Sequence, residues 1–455
     1  MTNKGLSRYA LYAIDRLIDL SPVIIPRVLH RSIITILGGS HVFSFYRKKY
    51  TRILKRAKAF NKILVLGDIG IGDAVNVQQV VNVLKDLFPE AAIDYLCHVS
   101  CGEVLSPLPA ANRVFELFQG HGVASRHEHL KIRSLLQQSE YDVILNFSPF
   151  VNTKKLGATA VVADLYIPMA AYVMRTWKMS GGPRHISSML RLFLQELFVG
   201  VVQGGTRAYA EGMDGRAATQ FEGNSIYLSH LAIETARQFL KRQNLQDSER
   251  LVFFNPDGSC KYSQIPHLLQ IQIIERLLAS DDIGAILIGA GHSDVGIEKR
   301  IMKSLQGMSR GKLFIVPPQP LPVFAAITDA CDVFISGDGG PVHIAAAKKI
   351  PISREDSVRN HTAVVSIFGA TDSRMYGYDS ALPDHFPAYQ KAPSKVFVGN
   401  ASCRNITCIN KLGKSCKEVR CFQEIDAEAV ASYVKSYCRQ LRLQEEHLSD
   451  RVEVR

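Results

Sequence analysis

The sequence has no uninterrupted apolar run near the roughly 18 residues that a membrane-spanning helix needs. Its most apolar leading stretch is broken by Asp15, Arg16, Asp19, Pro22, Pro26 and Arg27, and no small-residue cleavage site follows a clean apolar core. A spanning or exported chain is therefore not expected. No low-complexity tract and no repeat of solenoid length is present, which sets aside disordered linkers and superhelical arrays. Asp-x-Asp occurs nowhere. That pair ligates a divalent metal at a nucleotide diphosphate, so any diphosphate bound here must be neutralised by Lys, hydroxyls and backbone N–H groups. The cysteines number nine, and an odd count without an export signal argues against a disulfide scaffold.

Acid is scarce at the start, where base is abundant. Residues 1–60 hold twelve Lys or Arg against Asp15 and Asp19, so ten of the twelve net positive charges lie there and the remainder of the chain is nearly neutral. A nucleic-acid enzyme more often spreads basic charge along a groove in its body, so nucleic acid is not the expected partner. Two readings of the segment remain. It is an arm for an anionic membrane surface or lipid, or it is a set of extra helices packed on the first domain.

The chain's 455 residues are too many for one ordinary core and suit two domains with an appendage. Two blocks alternate short apolar runs with helical spacings, the pattern of parallel sheets covered by helices. Strands are expected at Ile63–Gly67, Ala92–Cys97, Arg113–Leu117 and Asp142–Asn146, then at Leu251–Asn255, Gly284–Gly289, Lys312–Val316, Asp332–Ser336 and Ala363–Phe368. Residues 151–224 read as irregular. Ser225–Leu245 reads as a long helix leading through a polar stretch into the second block, and Asp426–Leu441 as the final helix. The expected division is a basic helical extension over 1–60, a Rossmann-like domain over 61–245, a second over 246–425 and a C-terminal helix and tail over 426–455. In such sheets ligands bind at the strand C-termini, so the loops there carry the functional reading.

The first loop, Gly67-Asp-Ile-Gly-Ile-Gly-Asp-Ala-Val75, lies between a strand and a helix. Its order is G-x-x-G-x-G rather than the dinucleotide G-x-G-x-x-G, and the second strand ends in Cys97-His98 rather than an acid for a ribose. Both features count against a nicotinamide enzyme. Asp73 opens the helix, where a carboxylate serves as a cap or as a general base for an acceptor hydroxyl. The later loop, Ile335-Ser-Gly-Asp-Gly-Gly-Pro-Val-His-Ile-Ala-Ala-Ala347, again joins strand to helix through glycines, with Pro341 suited to the first turn. Backbone N–H groups there fit a diphosphate, and His343 either donates to it or simply packs in the first turn. Asn255-Pro-Asp-Gly-Ser-Cys-Lys-Tyr-Ser263 adds Ser259 and Lys261, a hydroxyl and an ammonium on one turn.

Taken together these loops resemble the heptosyltransferases of glycosyltransferase family 9. The resemblance runs from about Lys62 to the last helix. It is carried by Gly70-Ile-Gly-Asp73, Phe88-Pro-Glu-Ala-Ala-Ile-Asp94, Asn255-Pro256 with Ser259 and Lys261, Gly337-Asp-Gly-Gly-Pro-Val-His-Ile-Ala-Ala346 and Ile367-Phe-Gly-Ala-Thr-Asp372. It implies an α/β fold of the GT-B kind, two doubly wound domains facing across a cleft. It also implies an inverting transfer of heptose from ADP-heptose to a lipopolysaccharide core or related glycan, with no cofactor required for catalysis. On this resemblance Asp73 is the catalytic base, Asp338 holds the donor sugar, Gly339, Gly340 and His343 line the diphosphate, and Lys261 neutralises it. The implied location is cytoplasmic, peripheral on the inner face of the bacterial inner membrane. Three departures stand out: Gly339 replaces the usual Ser or Thr, some ten extra residues interrupt the chain around Pro351–Thr362, and the basic extension is not typical.

Cys403-x4-Cys408-x7-Cys416-x4-Cys421 permits a structural zinc or iron site, or four reduced thiols packed under the last helix. Arg175, Lys178 and Arg184, set among apolar residues, are assigned to an anionic glycolipid acceptor, against the alternative of a solvated basic helix face. Two other functions remain in play. One is a related transferase using another nucleotide sugar or a protein acceptor; the other is a non-catalytic membrane-surface binding protein.

Overall fold

The structure, a computed structural model, describes residues 39–453 apart from 68–69, 119–124, 149–150, 179–184, 200, 202–222, 246–249, 259–262, 291–295, 309–310, 382–391 and 400–418. The side chains at 174, 177–178 and 446–453 also lie outside the description. Contacts divide the chain into two compact units, Met1–Glu222 and Gly223–Arg455.

The first unit contains α1 (Gly39–Leu54), β1 (Lys62–Leu66), α2 (Ile71–Leu87), β2 (Ala92–His98), α3 (Val99–Leu105), β3 (Arg113–Phe118), α4 (Arg126–Gln138), β4 (Val143–Asn146), β5 (Val161–Asp164), α5 (Tyr166–Lys178) and α6 (Ile186–Phe198). Its sheet runs β3-β2-β1-β4-β5, and every pairing is parallel. Ile63, Leu64, Val65 and Leu66 are buried, as a strand covered on both faces requires. Ser125 starts α4 with a capping box: its hydroxyl accepts from the Glu128 N–H at 3.1 Å, and the Glu128 carboxylate accepts from the Ser125 N–H at 2.6 Å.

The basic extension resolves in favour of packing over the part described. Val42, Phe43, Tyr46, Tyr50 and Leu54 recur at helical spacing on α1 and are buried. Phe43 meets Tyr172 of α5 edge-on at 5.0 Å and Phe193 of α6 at 6.0 Å. Lys48, Arg52, Lys55, Arg56 and Lys58 stay exposed. Residues 151–224 are more regular than expected, since they supply β5, α5 and α6.

The second unit contains β6 (Ser225–Leu228), α7 (His230–Arg242), β7 (Leu251–Asn255), α8 (His267–Leu278), β8 (Ala285–Gly289), α9 (Ile297–Ser304), β9 (Leu313–Val316), α10 (Leu321–Ala330), β10 (Val333–Gly337), α11 (Gly340–Ala346), β11 (Lys348–Pro351), β12 (Ala363–Phe368), α12 (Ser373–Tyr376), β13 (Lys395–Val398) and α13 (Ala427–Glu453). Its main sheet is also wholly parallel, in the order β13-β12-β10-β7-β8-β9. One buried cluster joins β7, β8, β10 and β12 to α8 and α13. The final helix runs past its expected end at Leu441 because Arg439 and Arg442 both reach Asp282, and Glu445 pairs with Arg250.

The expected boundary at 245 is corrected to Glu222/Gly223. Ser225–Leu228 is a strand, not the start of a helix, and pairs in parallel with β11. The helical spacing holds from His230 onward, but its apolar face (Ala232, Ile233, Ala236, Phe239) packs against α10 in the second unit. Periodicity locates a helix and says nothing of which core it covers.

Candidate active site

In the first unit the turn after β1 delivers Gly70 to the start of α2, with Asp73 in the first helical turn. Gly70 occupies the cap position, so Asp73 does not cap the helix from there. Its side chain folds back instead. A Cβ on Gly70 would stand 2.8 Å from the Asp73 Oδ2, so the absence of a side chain at 70 is what leaves room for that carboxylate. Asp73 is exposed. The Tyr95 hydroxyl of β2 donates to the Ala74 carbonyl at 3.2 Å and ties the helix start to the sheet. At the end of β2, the His98 Nδ1 and the Ser100 hydroxyl are 2.7 Å apart. Burial lifts the nearby Cys101 thiol to about 12, and the Asp73 charge adds to the rise, so Cys101 is a neutral thiol.

In the second unit the turn after β10 carries Asp338 and Gly339 into α11. Asp338 is partly covered, and burial pushes its carboxyl up to about 6 while the Thr371 hydroxyl pulls it back. Thr371 Oγ1 donates to Asp338 Oδ2 in a short hydrogen bond. Thr371 stands in the stretch after β12, so two separate sequence motifs meet at one carboxylate. Asp372 beside it caps α12 by accepting from the Arg374 N–H at 2.8 Å.

His343 projects from α11 and is buried, with its Nδ1 2.8 Å from the Tyr378 hydroxyl. Burial pulls the imidazole down to about 4 and pushes the phenol above its ordinary range, so both are neutral at pH 7. His343 is thus a neutral hydrogen-bonding group, not a cation. Gly337 ends β10 where a Cβ would fall on the Ser263 carbonyl oxygen, so the backbone at Ser263 passes directly over it. Asn255 braces that loop by donating to the Asp257 carbonyl at 3.1 Å and to the Ser336 hydroxyl at 3.0 Å.

The structure therefore brings Asp338, Gly339, Gly340 and His343 together on one turn and helix. Ser259 and Lys261 lie outside the described residues, as do Arg184, Cys403, Cys408 and Cys416, and the side chain of Lys178. Cys421 is buried in the second unit's hydrophobic cluster. No group of three or more His, Cys, Asp or Glu able to hold a metal is found among the described residues. Arg175 is engaged elsewhere. Its guanidinium pairs with Glu196 at 2.8 Å, alongside Arg47 on the same carboxylate at 2.9 Å, and lies over the Phe43 and Tyr172 rings. That is a tie within the helical layer of α1, α5 and α6. A recess of about 300 Å3 lies elsewhere in this unit, lined by Thr153, Lys154, Gly157, Ala158, Val162 and Asp164.

Thr371, Tyr378 and Tyr95 were not singled out in the sequence. Thr371 sits inside a recognised motif, and that was its only signal. Tyr378 and Tyr95 act across the fold, and nothing local marks them.

No family model matches the chain. Lipopolysaccharide heptosyltransferase 3 of Escherichia coli K12 is 24% identical over 340 residues, covering 71% of this chain and 88% of that protein. Among solved structures, a glycosyl transferase family 9 protein from Veillonella parvula superposes with a TM-score of 0.59 at 16% identity, covering 84% of this chain and 98% of that one. The E. coli ADP-heptose lps heptosyltransferase II superposes at 0.51, also 16% identical, covering 85% and 99%. Two parallel, helix-covered sheets and these likenesses agree: the chain has the GT-B fold of the family 9 structures and is similar in sequence to a lipopolysaccharide heptosyltransferase.

Proposed function

We propose that the chain transfers a heptose from ADP-heptose, with inversion and without a catalytic metal, to a lipopolysaccharide core or a related glycan. Asp73 takes the proton from the acceptor hydroxyl, and the freed oxygen attacks the anomeric carbon. The bond from that carbon to the β-phosphate oxygen breaks, and ADP leaves with the electron pair. Asp338 accepts hydrogen bonds from the donor sugar. The Gly339 and Gly340 amides, His343, Ser259 and Lys261 hold the diphosphate and stabilise the charge that develops on it. The observation that carries this reading is the Asp338 carboxylate, fixed by Thr371 on the same turn that presents Gly339, Gly340 and His343.

The acceptor side is proposed to work at a membrane face on the cytoplasmic side. Lys48, Arg52, Lys55, Arg56 and Lys58 are exposed along and just beyond the outer side of α1, while its inner side is anchored by Phe43, Tyr46 and Tyr50. Each cation near an anionic leaflet adds about 1 kcal/mol of attraction. A second reading, a related transferase with another nucleotide sugar or a protein acceptor, is favoured by Gly339, which supplies no hydroxyl to the phosphate.

The test is turnover with ADP-heptose against a panel of nucleotide sugars, with and without EDTA, for wild type and Asp73→Ala. Selective, EDTA-resistant turnover should fall by at least about 100-fold in the variant, the usual contribution of a general base, while donor binding survives. Selective use of another nucleotide sugar replaces the donor and keeps the reaction class. Absence of any nucleotide-sugar binding leaves a membrane-surface binding protein.

A further inference from the structure

The extra segment between β11 and β12 is defined by its hydrogen bonds, which converge on one buried lysine. Lys349 on β11 is 1% exposed. Its ammonium donates to the carbonyls of Ile344 at 2.7 Å, Ala345 at 2.6 Å and Ala347 at 3.0 Å. These carbonyls close the C-terminal end of α11, where a helix has no N–H donors for its own last oxygens and its dipole is negative. A buried ammonium is costly unless its donors are met, and here all three N–H bonds have an oxygen. Burial still pulls Lys349 down to about 8, with Asp329 opposing.

The segment holds Lys349 in place from the other side. Asn360 takes a left-handed backbone, at φ 50. Its side-chain amide meets the Lys349 backbone twice: Lys349 N donates to Asn360 Oδ1 at 2.8 Å, and Asn360 Nδ2 donates to the Lys349 carbonyl at 2.9 Å. The Asn360 and Arg359 N–H groups donate to the two carboxylate oxygens of Asp329 at 2.9 and 2.7 Å. The Arg359 guanidinium reaches Asp332 at 2.7 Å and the Ala330 carbonyl at 2.5 Å. The segment is thus fastened to the end of α10 and the start of β10, and it clasps Lys349 between them.

Helix α11 has seven residues, too few to be stable on intrinsic propensity. Its placement depends on what grips its ends. We infer that Lys349 is a positioning residue for the donor site, fastening the helix that carries Gly340 and His343, and that the 352–362 segment is the brace that orients Lys349. The effect on nucleotide binding rests on the donor reading given above; the fastening of the helix does not.

Two variants of the full chain test this. Lys349→Met removes the ammonium and keeps the stem. Asn360→Gly keeps the left-handed backbone, which Gly adopts freely, and removes only the two side-chain bonds, so it serves if Lys349→Met fails to fold. Amide hydrogen exchange without ligand should rise by about tenfold or more across 343–347 in Lys349→Met, and less in Asn360→Gly, with β7 and β8 unchanged. ADP affinity should fall by about tenfold in Lys349→Met, the cost of binding to a helix held in its competent form about a tenth of the time, with kcat at saturating donor nearly kept. Unchanged exchange in both variants overturns the inference. So does faster exchange with wild-type ADP affinity. If wild type itself binds no ADP, the donor reading falls, and the exchange data alone decide whether Lys349 fastens the helix.

Discussion

The glycine turn after β1 and the glycine turn after β10 are built alike and supported differently. Each ends a buried parallel strand and presents an aspartate at the sheet's C-terminal edge. Asp73 is exposed, and its carboxylate lies against Gly70 of its own turn. Asp338 is gripped by Thr371 from the stretch after β12, beside His343 on Tyr378. The contrast matches the two tasks proposed. A base must reach a variable acceptor and exchange its proton with solvent between turnovers. A donor site must hold a fixed geometry around developing charge, and preorganisation there is worth more than access.

The widest gap between the two turns should appear when a methyl is added to each. At Gly337 the new Cβ meets the Ser263 backbone oxygen, which cannot move without displacing its loop. Gly337→Ala should therefore cost about 2 kcal/mol or more, the price of overpacking against a fixed neighbour. At Gly70 the neighbour is the far end of the Asp73 side chain, and the backbone at φ −86, ψ 143 suits alanine. Gly70→Ala should leave stability within about 0.5 kcal/mol yet lower transfer on the order of tenfold by moving the base. Urea denaturation and donor turnover on both variants decide the matter. Equal destabilisation would show that the first turn is as tightly built as the second.

A smaller effect is expected at Thr371. A hydrogen bond to a charged group is worth about 1.5–3 kcal/mol, so Thr371→Val should weaken donor binding by about tenfold or more. The hydroxyl also lowers the Asp338 carboxyl, so its loss should move the acid limb of transfer upward from the region of pH 6. Measuring kcat/KM between pH 5 and 8 checks both. An unmoved limb would remove Asp338 from the donor contacts.

Much of this was legible beforehand. All nine expected strands form; most are buried on both faces and so read as apolar runs, which are visible in sequence. The short strands β5, β6, β11 and β13 were missed: four residues are too few for a period to show, although β4 and β9 of the same length were expected. Asp73 and Asp338 stand out in sequence because glycines announce a turn at a strand end. Tyr378 and Lys349 do not, since a tyrosine and a lysine look ordinary in sequence and their roles arise from partners in other segments. Arg175 shows the opposite failure. Its composition suggested a ligand contact, and only the fold reveals Glu196 beside it.

The smallest expected effect is a change in pH slope at the second turn. Asp338 is raised above its ordinary 3.8 to about 6, so its neutral form is favoured by folding; the stability this gives is complete below 3.8 and lost as pH rises to 6. His343 is lowered from 6.5 to about 4, so its neutral form is also favoured; that stability is complete above 6.5 and lost as pH falls to 4. Between pH 4 and 6 the two slopes oppose each other. Replacing His343 with glutamine removes one of them. The variant should then gain stability relative to wild type as pH falls through that window, by at most about 1.4 kcal/mol per pH unit, the slope of one proton. Parallel curves for wild type and His343→Gln would mean that the two groups do not titrate in opposition, and that the second turn is less enclosed than its hydrogen bonds imply.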